Sequence, residues 1–411
     1  MTEARIRSER LWESFQTLGG IGELDDGAMM RVTGSEADRE ARDLVVSWFE
    51  DAGLTVRVDP VGNVVACRPG RTDAAPVLTG SHIDTVPRGG KFDGTAGVLT
   101  ALEVVRAWND AGVETERPVE LVVFTEEEGT RFGTGLLGSL VATGVLPLEE
   151  ALALTDDDGQ SVGEVLADIG YRGEASLDLA DAAAFVELHV EQGPTLERTD
   201  TTIGVVENIA GITHSRVTFT GEANHAGTAS MRVRRDAFMG AAEFALELER
   251  RAREQAETTA TVGTVGKVSV WPNGTNVVPG VVDLGVDVRD TDDEALDSVL
   301  TAVSERAAEI ADERDLELEW ESLLDVPATP MDEDVVDRLA DACEALDLSY
   351  TRMPSGAGHD AMNVAAVAPT GMLFVPSRDG VSHSPEEYSS AADLADGARV
   401  LERTLRGLAD E

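Results

Sequence analysis

The sequence has 411 residues, of which 42% are hydrophobic, so the chain can bury a sizeable core and is long enough for two domains. It carries 78 acidic residues against 33 basic ones, a net charge of -45. A surface this acidic repels nucleic acid and anionic membranes, so neither is predicted as a partner.

Other features of the composition indicate where the protein works. The sequence contains no run of about 18 apolar residues, and its opening stretch, MTEARIRSERLWESF, is charged and amphipathic, unlike a signal peptide. The acidic residues are spread along the chain rather than gathered in a tail, which argues against disorder. We predict a soluble cytoplasmic protein of an extreme halophile, where molar salt shortens the Debye length to about 3 Å and screens the self-repulsion.

The two ends of the chain share one pattern. From about residue 40 to 210, apolar runs such as APVLTG and PVELVVFT alternate with helical patterns such as GTAGVLTALEVVRAW, and the alternation resumes near residue 330. Such alternation is typical of strands and helices in an α/β layer. We predict an α/β domain, with helices around a mixed sheet, built from residues 1–211 and 328–411.

The middle of the chain, residues 212–327, reads differently. Its predicted elements are a strand, a helix, two strands, a helix and a strand: THSRVTFTG, RRDAFMGAAEFALELERRA, TATVGTVGKVSVW, VVDLGVDVRD, DEALDSVLTAVSERAAEIADER and LELEWESLL. This is the β-α-β-β-α-β order of a ferredoxin-like module. We therefore predict an inserted α+β domain, placed as a lid, over residues 212–327.

Five of the six histidines lie in short motifs that contain Gly, Asp, Glu, Gln or Ser. The motifs are TGSHIDTV, ELHVEQGP, ANHAGT, SGAGHDA and GVSHSPEEY. A single histidine is more often a structural residue than a metal ligand, but five such motifs in one chain favour a shared site. The sixth histidine, His214, has no chemical neighbours in the sequence and is predicted to be structural.

The first motif supplies candidate ligands. His82 ends a predicted buried strand, and Asp84 lies two residues on, towards the same face, where its carboxylate could hold the second imidazole nitrogen. Asp93 lies where a glycine-flanked loop enters a helix, and Gly94 and Gly97 would let the backbone approach closely. Taken alone, Asp93 is equally compatible with an ordinary helix N-cap.

Three consecutive glutamates, Glu126, Glu127 and Glu128, follow the predicted strand PVELVVFT. Like charges side by side repel one another unless a cation lies among them, although a solvated acidic loop is the simpler alternative. One or two divalent cations held by His82, Asp93 and other nitrogen or oxygen ligands would supply that charge. A two-ion site also needs a bridging carboxylate and a base for bound water, and the sequence offers candidates for both.

Competing motifs carry little weight. GTGLLG matches a dinucleotide-binding fingerprint, but three glutamates separate it from the strand end, so a pyrophosphate would be repelled. TDDDGQS would put Leu154 at the first ligand position of a calcium loop, which excludes an EF-hand. Ser161 and Glu164 are predicted to form a capping box instead, and the sequence has no G-x-S-x-G elbow for a serine nucleophile.

As an ordered set, the motifs resemble those of the N-carbamoyl-L-amino-acid hydrolases, allantoate amidohydrolases and β-ureidopropionases, which are distant relatives of di-zinc aminoacylases and carboxypeptidases. The matching stretches, between about residues 78 and 388, are SHIDTVPRGGKFDG, FTEEEGTRF, ELHVEQGPTLE, HAGT, NVVPG, DVRD, SGAGHDAM and FVPSRDGVSHSPEEY. ELHVEQGP looks like this amidase branch, because the peptidase relatives usually carry an acidic residue where His189 stands.

The resemblance implies a di-metal catalytic domain. Asp93 would bridge two divalent ions, with His82 and His189 on one ion and Glu128 and His383 on the other. Zinc is the default metal for such a mixed ligand set, while manganese, cobalt or nickel would also suit it.

Roles beyond the metal ligands are implied as well. Glu127 would be the general base, with Asp84 beside it among the catalytic residues because it holds a metal ligand. Glu126 occupies a variable position of the family, where the side chain either supports a ligand or is solvated.

The substrate residues of the family also find matches. Its lid residues correspond to Gln192, His225, Asn276 and Arg289. His225 would polarise the scissile carbonyl, and Arg289 would grip the substrate carboxylate. Gly358 and His359, followed by Asp360, lie in the family's glycine-rich loop beside the site. One departure is HAGTASM where relatives commonly read HAGTTPM, so that Ser230 replaces a proline and loosens the turn near His225.

The implied activity is cleavage of the carbamoyl C–N bond of an N-carbamoyl-L-amino acid, a small ureido substrate with a carboxylate, to the amino acid, ammonia and carbon dioxide. Allantoate amidohydrolase or β-ureidopropionase activity is the alternative. An N-acyl amino acid deacylase or dipeptidase is disfavoured by the His189 motif, and a non-catalytic metal-binding protein by the intact base and ligands. Because relatives commonly dimerise through the lid, the resemblance also implies a homodimer.

Overall fold

The structure is a computed structural model that describes residues 4–411. The α-helices are α1 (Ser8–Leu18), α2 (Glu36–Asp51), α3 (Thr95–Ala111), α4 (Leu137–Ala142), α5 (Leu148–Ala153), α6 (Val162–Asp168), α7 (Thr195–Thr199), α8 (Ala237–Gln255), α9 (Asp293–Glu313), α10 (Glu333–Ala345), α11 (Asp360–Val364) and α12 (Ala391–Ala409). The strands are β1 (Thr55–Val58), β2 (Val64–Arg68), β3 (Val77–His82), β4 (Val119–Phe124), β5 (Ala184–Val190), β6 (Ile203–Ile209), β7 (Gly211–Thr220), β8 (Asn224–His225), β9 (Val262–Trp271), β10 (Val277–Val278), β11 (Val281–Asp290), β12 (Glu317–Val326), β13 (Thr329–Pro330), β14 (Tyr350–Ser355) and β15 (Thr370–Val375).

The chain divides into two compact units. The first runs up to Glu207 and continues over Pro330–Met353 and Gly358–Glu411, and the second comprises Asn208–Thr329 and Pro354–Ala357. The functional labels predicted for the two parts, catalytic domain and lid, stay predictions.

A mixed sheet organises the first unit. Within residues 4–411 it has nine strands in the order β1-β2-β4-β3-β5-β15-β6-β13, with β14 paired to β6. The middle strands β4, β3, β5 and β15 are parallel and buried along their whole length. Such continuous burial is typical of parallel strands covered on both faces, so the predicted α/β class is confirmed. Because parallel strands end at one edge of a sheet, the segments that follow β3, β4, β5 and β15 come together there.

The second unit contains the six elements that the sequence predicts, β7, α8, β9, β11, α9 and β12. Their strands form an antiparallel sheet in the order β12-β7-β11-β9. Even-numbered residues from Val282 to Val288 are buried in a core shared with α8 and α9, whereas odd-numbered residues from Val281 to Arg289 are only partly buried. This alternation is typical of a sheet with one covered face. The order of the six elements confirms the predicted ferredoxin-like order.

The predicted glycine positions and the predicted helix cap are found in the structure. Helix α3 begins after Gly94, whose φ of 60° favours glycine, and a Cβ on Gly97 would lie 2.5 Å from the carbonyl oxygen of Leu188. The close backbone approach predicted for these two glycines is therefore confirmed. Ser161 and Glu164 form the predicted capping box at the start of α6. No helix of the described part of the chain is both long and apolar enough to cross a membrane.

Candidate metal centre and substrate residues

His82, the last residue of β3, has a buried ring nitrogen, Nε2, that faces other site residues. Its Nδ1 lies 3.1 Å from the carbonyl oxygen of Asp84, and because a carbonyl only accepts, Nδ1 carries the proton. In the neutral ring Nε2 is then the acceptor nitrogen; it is buried and has no hydrogen-bond partner among the described residues. Oxygens of Asp93 and Glu127 each lie 3.5 Å from this Nε2. A buried acceptor facing two carboxylates is an arrangement that a cation completes.

His189, on β5, repeats the arrangement. Its Nδ1 lies 3.0 Å from the carbonyl oxygen of Val190, so the proton is again on Nδ1. Its Nε2 accepts the N–H of Gly94 at 3.1 Å and lies 3.2 Å from Asp93 Oδ1. Burial by itself lowers the pKa of His189, but the charge of Asp93 outweighs it and raises the pKa.

Asp93 lies between the histidines and faces them with different oxygens. Its Oδ1 is the atom near His82 and His189, whereas its Oδ2 lies 3.4 Å from Nε2 of His383. Oε2 of Glu128 lies 3.3 Å from that same His383 nitrogen. Burial raises the pKa of Asp93, but the histidines, His189 first, outweigh it and hold the pKa well below its usual range.

The three glutamates after β4 have three different surroundings. Glu126 is fully buried and accepts the N–H groups of Arg131 and Phe132 at 2.8 and 3.0 Å, so the alternative that it is solvated is wrong. Burial raises the pKa of Glu127 well above its usual value, and the charge of Glu128 adds to this. Burial, followed by the charge of Asp93, raises the pKa of Glu128 to about 7. Such shifts are expected where carboxylates crowd a buried place without a cation.

Two predictions of local geometry need correction. Asp84 holds the His82 ring with its backbone carbonyl, because its carboxylate is 3.6 Å from Nδ1 and instead accepts the N–H groups of Glu127 and Glu128 at 3.4 and 3.3 Å. The alternative of Asp93 as a helix N-cap is wrong, since the cap residue is Gly94 and no side chain caps α3. Asp84 thus joins the ends of β3 and β4.

Glu387 and Ser382, which were not predicted as site residues, support Asp93. Oε2 of Glu387 accepts the N–H groups of Phe92 and Asp93 at 2.8 and 3.3 Å, and Oε1 accepts the Ser382 hydroxyl at 3.0 Å. Ser382 also donates to Asp93 Oδ2. A Cβ on Gly90 would lie 1.9 Å from Glu387 Oε2. The Gly-Gly pair before Asp93 and the glutamates of SPEEY are therefore the sequence features that could have indicated this contact.

Gln192 was predicted as a lid residue, but it lies in the first unit. Its side chain donates to Asp93 Oδ2 at 2.7 Å. Its φ of 55° is left-handed, as are those of Glu126 (53°) and His383 (54°). Each such residue costs on the order of 1 kcal/mol, and strained backbone of this kind clusters at functional sites.

The residues at the edge of the sheet fit divalent ions. Three triads have ligand atoms within 4.8 Å of one another: His82, Asp93 and His189; His82, Glu127 and Glu128; and Asp93, Glu128 and His383. The triads share members, and they mix imidazole nitrogen with carboxylate oxygen, which is the donor set of zinc and of neighbouring transition metals.

His359 and Asp360 lie behind these ligands. The rings of His359 and His189 are 4.5 Å apart, and burial followed by the charge of His189 lowers the pKa of His359 well below its usual value. Burial, then the charge of Glu187, raises the pKa of Asp360 well above its usual value. A contact of His359 or of the partly buried Gly358 with substrate stays a prediction.

The second unit holds the remaining predicted substrate residues. His225 and Asn276 are exposed neighbours, because β8 pairs with β10 and the Asn276 carbonyl accepts the N–H of Ala226 at 2.9 Å. Arg289 is partly buried and paired with Asp287. His214, predicted without chemical neighbours, lies with its Nε2 2.8 Å from Oδ2 of the same Asp287.

Comparison with known proteins agrees with this fold. The family model described as Peptidase family M20/M25/M40 matches residues 78–407. The chain therefore belongs to the Peptidase family M20/M25/M40. It is 41% identical to the N-carbamoyl-L-amino acid amidohydrolase of Geobacillus stearothermophilus, over 98% of this chain and 99% of that protein.

Two further relatives bear on the branch of the family. The ureidoglycolate hydrolase of Arabidopsis thaliana is 39% identical, over 97% of this chain and 86% of that protein. The crystal structure of an amidase of the hydantoinase/carbamoylase family from Burkholderia multivorans superposes with a TM-score of 0.95 at 41% identity, covering 99% of each chain. The resemblance drawn from the motifs is confirmed.

Proposed function

We propose that the protein is an amidohydrolase that cleaves the carbamoyl C–N bond of N-carbamoyl-L-amino acids, giving the amino acid, ammonia and carbon dioxide. The observation that carries this proposal is the placement of Asp93, whose Oδ1 faces His82 and His189 while its Oδ2 faces His383. A carboxylate that turns its two oxygens to separate ligand sets suits a bridge between two ions.

In this proposal His82, His189 and Asp93 would hold one divalent ion, and Glu128, His383 and Asp93 would hold the other. When bound, the ions would supply Lewis acidity and lower the pKa of water. Zinc is the first candidate, with manganese, cobalt and nickel as alternatives. Metal analysis of protein purified without added metal, followed by reconstitution with each ion, distinguishes these candidates.

Glu127 acts as the general base, taking a proton from the attacking water and returning it to the departing amine. Its position supports this role, because Oε2 lies 3.5 Å from Nε2 of His82 while its backbone N–H is held by Asp84. Asp84 contributes by fixing both the His82 ring and the two glutamate N–H groups.

His225 is suited to stabilise the oxyanion. Its Nδ1 accepts the N–H groups of Gly227 and Thr228 at 3.0 and 3.2 Å, so the proton of the neutral ring is on Nε2. That Nε2–H is exposed and available as a donor to developing negative charge. Gln192, Asn276 and Arg289 complete the proposed substrate contacts, with Arg289 binding the carboxylate.

An ammonia-release assay tests the proposal. Purified protein loaded with zinc or manganese is given N-carbamoyl-L-amino acids, ureidoglycolate, allantoate, N-carbamoyl-β-alanine and N-acetyl amino acids. We expect the highest kcat/KM on N-carbamoyl-L-amino acids. Ureidoglycolate is the second candidate, favoured by the Arabidopsis relative at 39% identity. Preferred cleavage of the N-acetyl compounds would replace the proposal with a deacylase.

The net charge of -45 supports a halophilic, cytoplasmic enzyme. Compactness and activity would then need roughly molar KCl, since dilute buffer leaves the self-repulsion unscreened. Circular dichroism and ammonia release along a KCl series measure this, and full activity at about 50 mM salt, where screening is weak, would contradict it.

A homodimer formed through the second unit is also proposed. It is supported by exposed apolar side chains of that unit, among them Trp271 at 64% exposure and Leu246 at 67%. Light scattering behind size-exclusion chromatography at high salt tests it, with a monomer as the contradicting result.

A further inference from the structure

A chain of polar contacts crosses the partly exposed face of the sheet in the second unit. Asp287 on β11 is directly opposite His214 on β7, and His214 Nε2 lies 2.8 Å from Asp287 Oδ2. Arg289, two residues further along β11, donates from Nε to Asp287 Oδ1 and from Nη2 to Oδ2, each at 3.0 Å. Its Nη1 donates to the carbonyl oxygen of Gly356 at 2.8 Å. The guanidinium is therefore held from two sides.

The contacts with Asp287 and Gly356 leave some N–H groups of Arg289 available to a ligand. A guanidinium has five N–H groups, and the contacts of Arg289 with Asp287 and Gly356 use one each on Nε, Nη1 and Nη2. One N–H remains on each terminal nitrogen. When Gly356 takes the Nη1–H that faces away from Nη2, these two N–H groups are parallel and form a fork that can bind a carboxylate in bidentate fashion.

The surroundings suit a small acid with an apolar part. A cavity of about 510 Å³ adjoins Arg289, and its lining includes Ala210, Val262, Thr264 and Pro354. Burial raises the pKa of Asp287, but Arg289 first and His214 next outweigh this and lower the pKa overall. Asp287 thus remains a carboxylate that can hold the arginine at ordinary pH.

We propose that Asp287 and His214 are positioning residues, which hold the Arg289 guanidinium so that its two remaining N–H groups receive the substrate carboxylate; this inference rests on the proposed function. An unrestrained arginine has many rotamers and would lose part of that entropy on binding, whereas a held guanidinium loses less. The alternative is that Asp287 merely neutralises Arg289 and competes with the substrate, which predicts the opposite effect of its removal.

The test uses Asp287→Asn with Asp283→Asn as the matched control. Asp283 lies on the same face of β11, is directly opposite Thr218 on β7, and accepts its hydroxyl at 2.7 Å, but no arginine of residues 4–411 is hydrogen-bonded to it. For whichever substrate the ammonia assay identifies, Asp287→Asn should raise KM about tenfold with kcat within about threefold. Asp283→Asn should leave both constants unchanged. His214→Ala should raise KM by about threefold, and His214→Gln, which keeps a donor, should restore it.

A binding measurement separates this inference from the proposed function. Zinc-loaded Glu127→Gln protein, with and without Asp287→Asn, is titrated calorimetrically with N-carbamoyl-L-leucine and with its carboxamide. Weaker binding of the acid alone in the Asp287→Asn protein supports the inference even if no substrate is hydrolysed. Tighter or unchanged binding of the acid, equal loss for acid and carboxamide, or no binding of the acid to the Glu127→Gln protein would overturn it.

Discussion

Apart from His383, whose side chain is 48% exposed, the candidate metal ligands of the first unit have buried side chains, whereas the functional side chains of the second unit are more exposed. In the first unit the side chains of His82 and His189 are 1% exposed and that of Asp93 is 5% exposed. In the second, His225 is exposed and the Arg289 side chain is 31% exposed. Burying charged groups is costly unless each is paired, so the first unit surrounds its ligands with fixed carbonyls, N–H groups and glycines. The second unit instead fixes His225 through a turn and Arg289 through its ion pair with Asp287.

The largest effect is expected from the glutamates of the buried site. Glu127→Gln should lower kcat by about 10²–10⁴ while the metal content stays nearly unchanged, because the base is lost but the ligands remain. Glu128→Gln should lose metal instead. Elemental analysis beside kcat measurements distinguishes the two. Loss of the ions from Glu127→Gln, or full activity of Glu128→Gln, would reverse the assignment of the pair.

The glycine next to the ligands tests how tightly the first unit is packed. A Cβ on Gly94 would lie 2.3 Å from His82 Nε2, so Gly94→Ala should weaken zinc binding by about 10–100-fold, the scale seen when support of a ligand is lost. Gly112, at the other end of α3, is the matched control, because its φ of 65° is similar but, its chain neighbours aside, no described residue lies within 4 Å of its Cβ position. Gly112→Ala should lose stability alone. Equal zinc affinity in both variants would contradict the packing argument.

In the second unit the arginine should affect binding rather than chemistry. Arg289→Lys should raise KM about tenfold with little change in kcat, since an ammonium cannot reproduce the planar fork. Arg216→Lys is the control, because Arg216 lies on the neighbouring strand β7 and pairs with Glu321 at 2.7 Å. Steady-state kinetics on acid and carboxamide substrates measure the difference. An unchanged KM would remove Arg289 from the substrate site.

The same contrast explains what the sequence could and could not predict. Hydrophobic alternation and motif order predicted both units' folds, and the motifs marked His82, Asp93 and the glutamates, because these features depend on short stretches of chain. The role of Glu387 was missed, since it contacts a loop almost 300 residues away in sequence. The pairing of His214 was missed for a similar reason, as it depends on strand register across 73 residues.

Proton release on zinc binding should identify the metal centre of the first unit. The hydrogen bond to Asp93, opposed by burial and aided by the charge of Glu128, raises the pKa of His383 to about 9, so metal-free protein carries this proton at pH 7.5. Because a histidine binds metal through an unprotonated ring nitrogen, zinc binding should release the His383 proton, and apparent affinity should rise with pH until about pH 9. Calorimetry in buffers of different ionisation enthalpy counts the protons. A buffer-independent enthalpy at pH 7.5 would contradict the raised pKa.

The smallest effect is expected at Ser230. The turn after His225 uses the N–H groups of residues 227, 228 and 229, the first two of which donate to His225 Nδ1. Arg234 also closes the turn by donating to the carbonyl oxygens of Ala226 and Ala229. Because these contacts already fix the imidazole, Ser230→Pro should change kcat by less than about twofold and add a few tenths of a kcal/mol of stability.

Arg234→Ala is the informative counterpart of Ser230→Pro. It removes both carbonyl contacts, so the His225 ring should lose its fixed orientation and kcat should fall by about tenfold, the equivalent of one hydrogen bond to a charged group. Combining the two substitutions sharpens the test, since a proline that stiffens the same turn should recover part of the lost kcat. A large loss in Ser230→Pro alone would mean that the exposed residues of the second unit need as tight a surrounding as the buried ligands of the first.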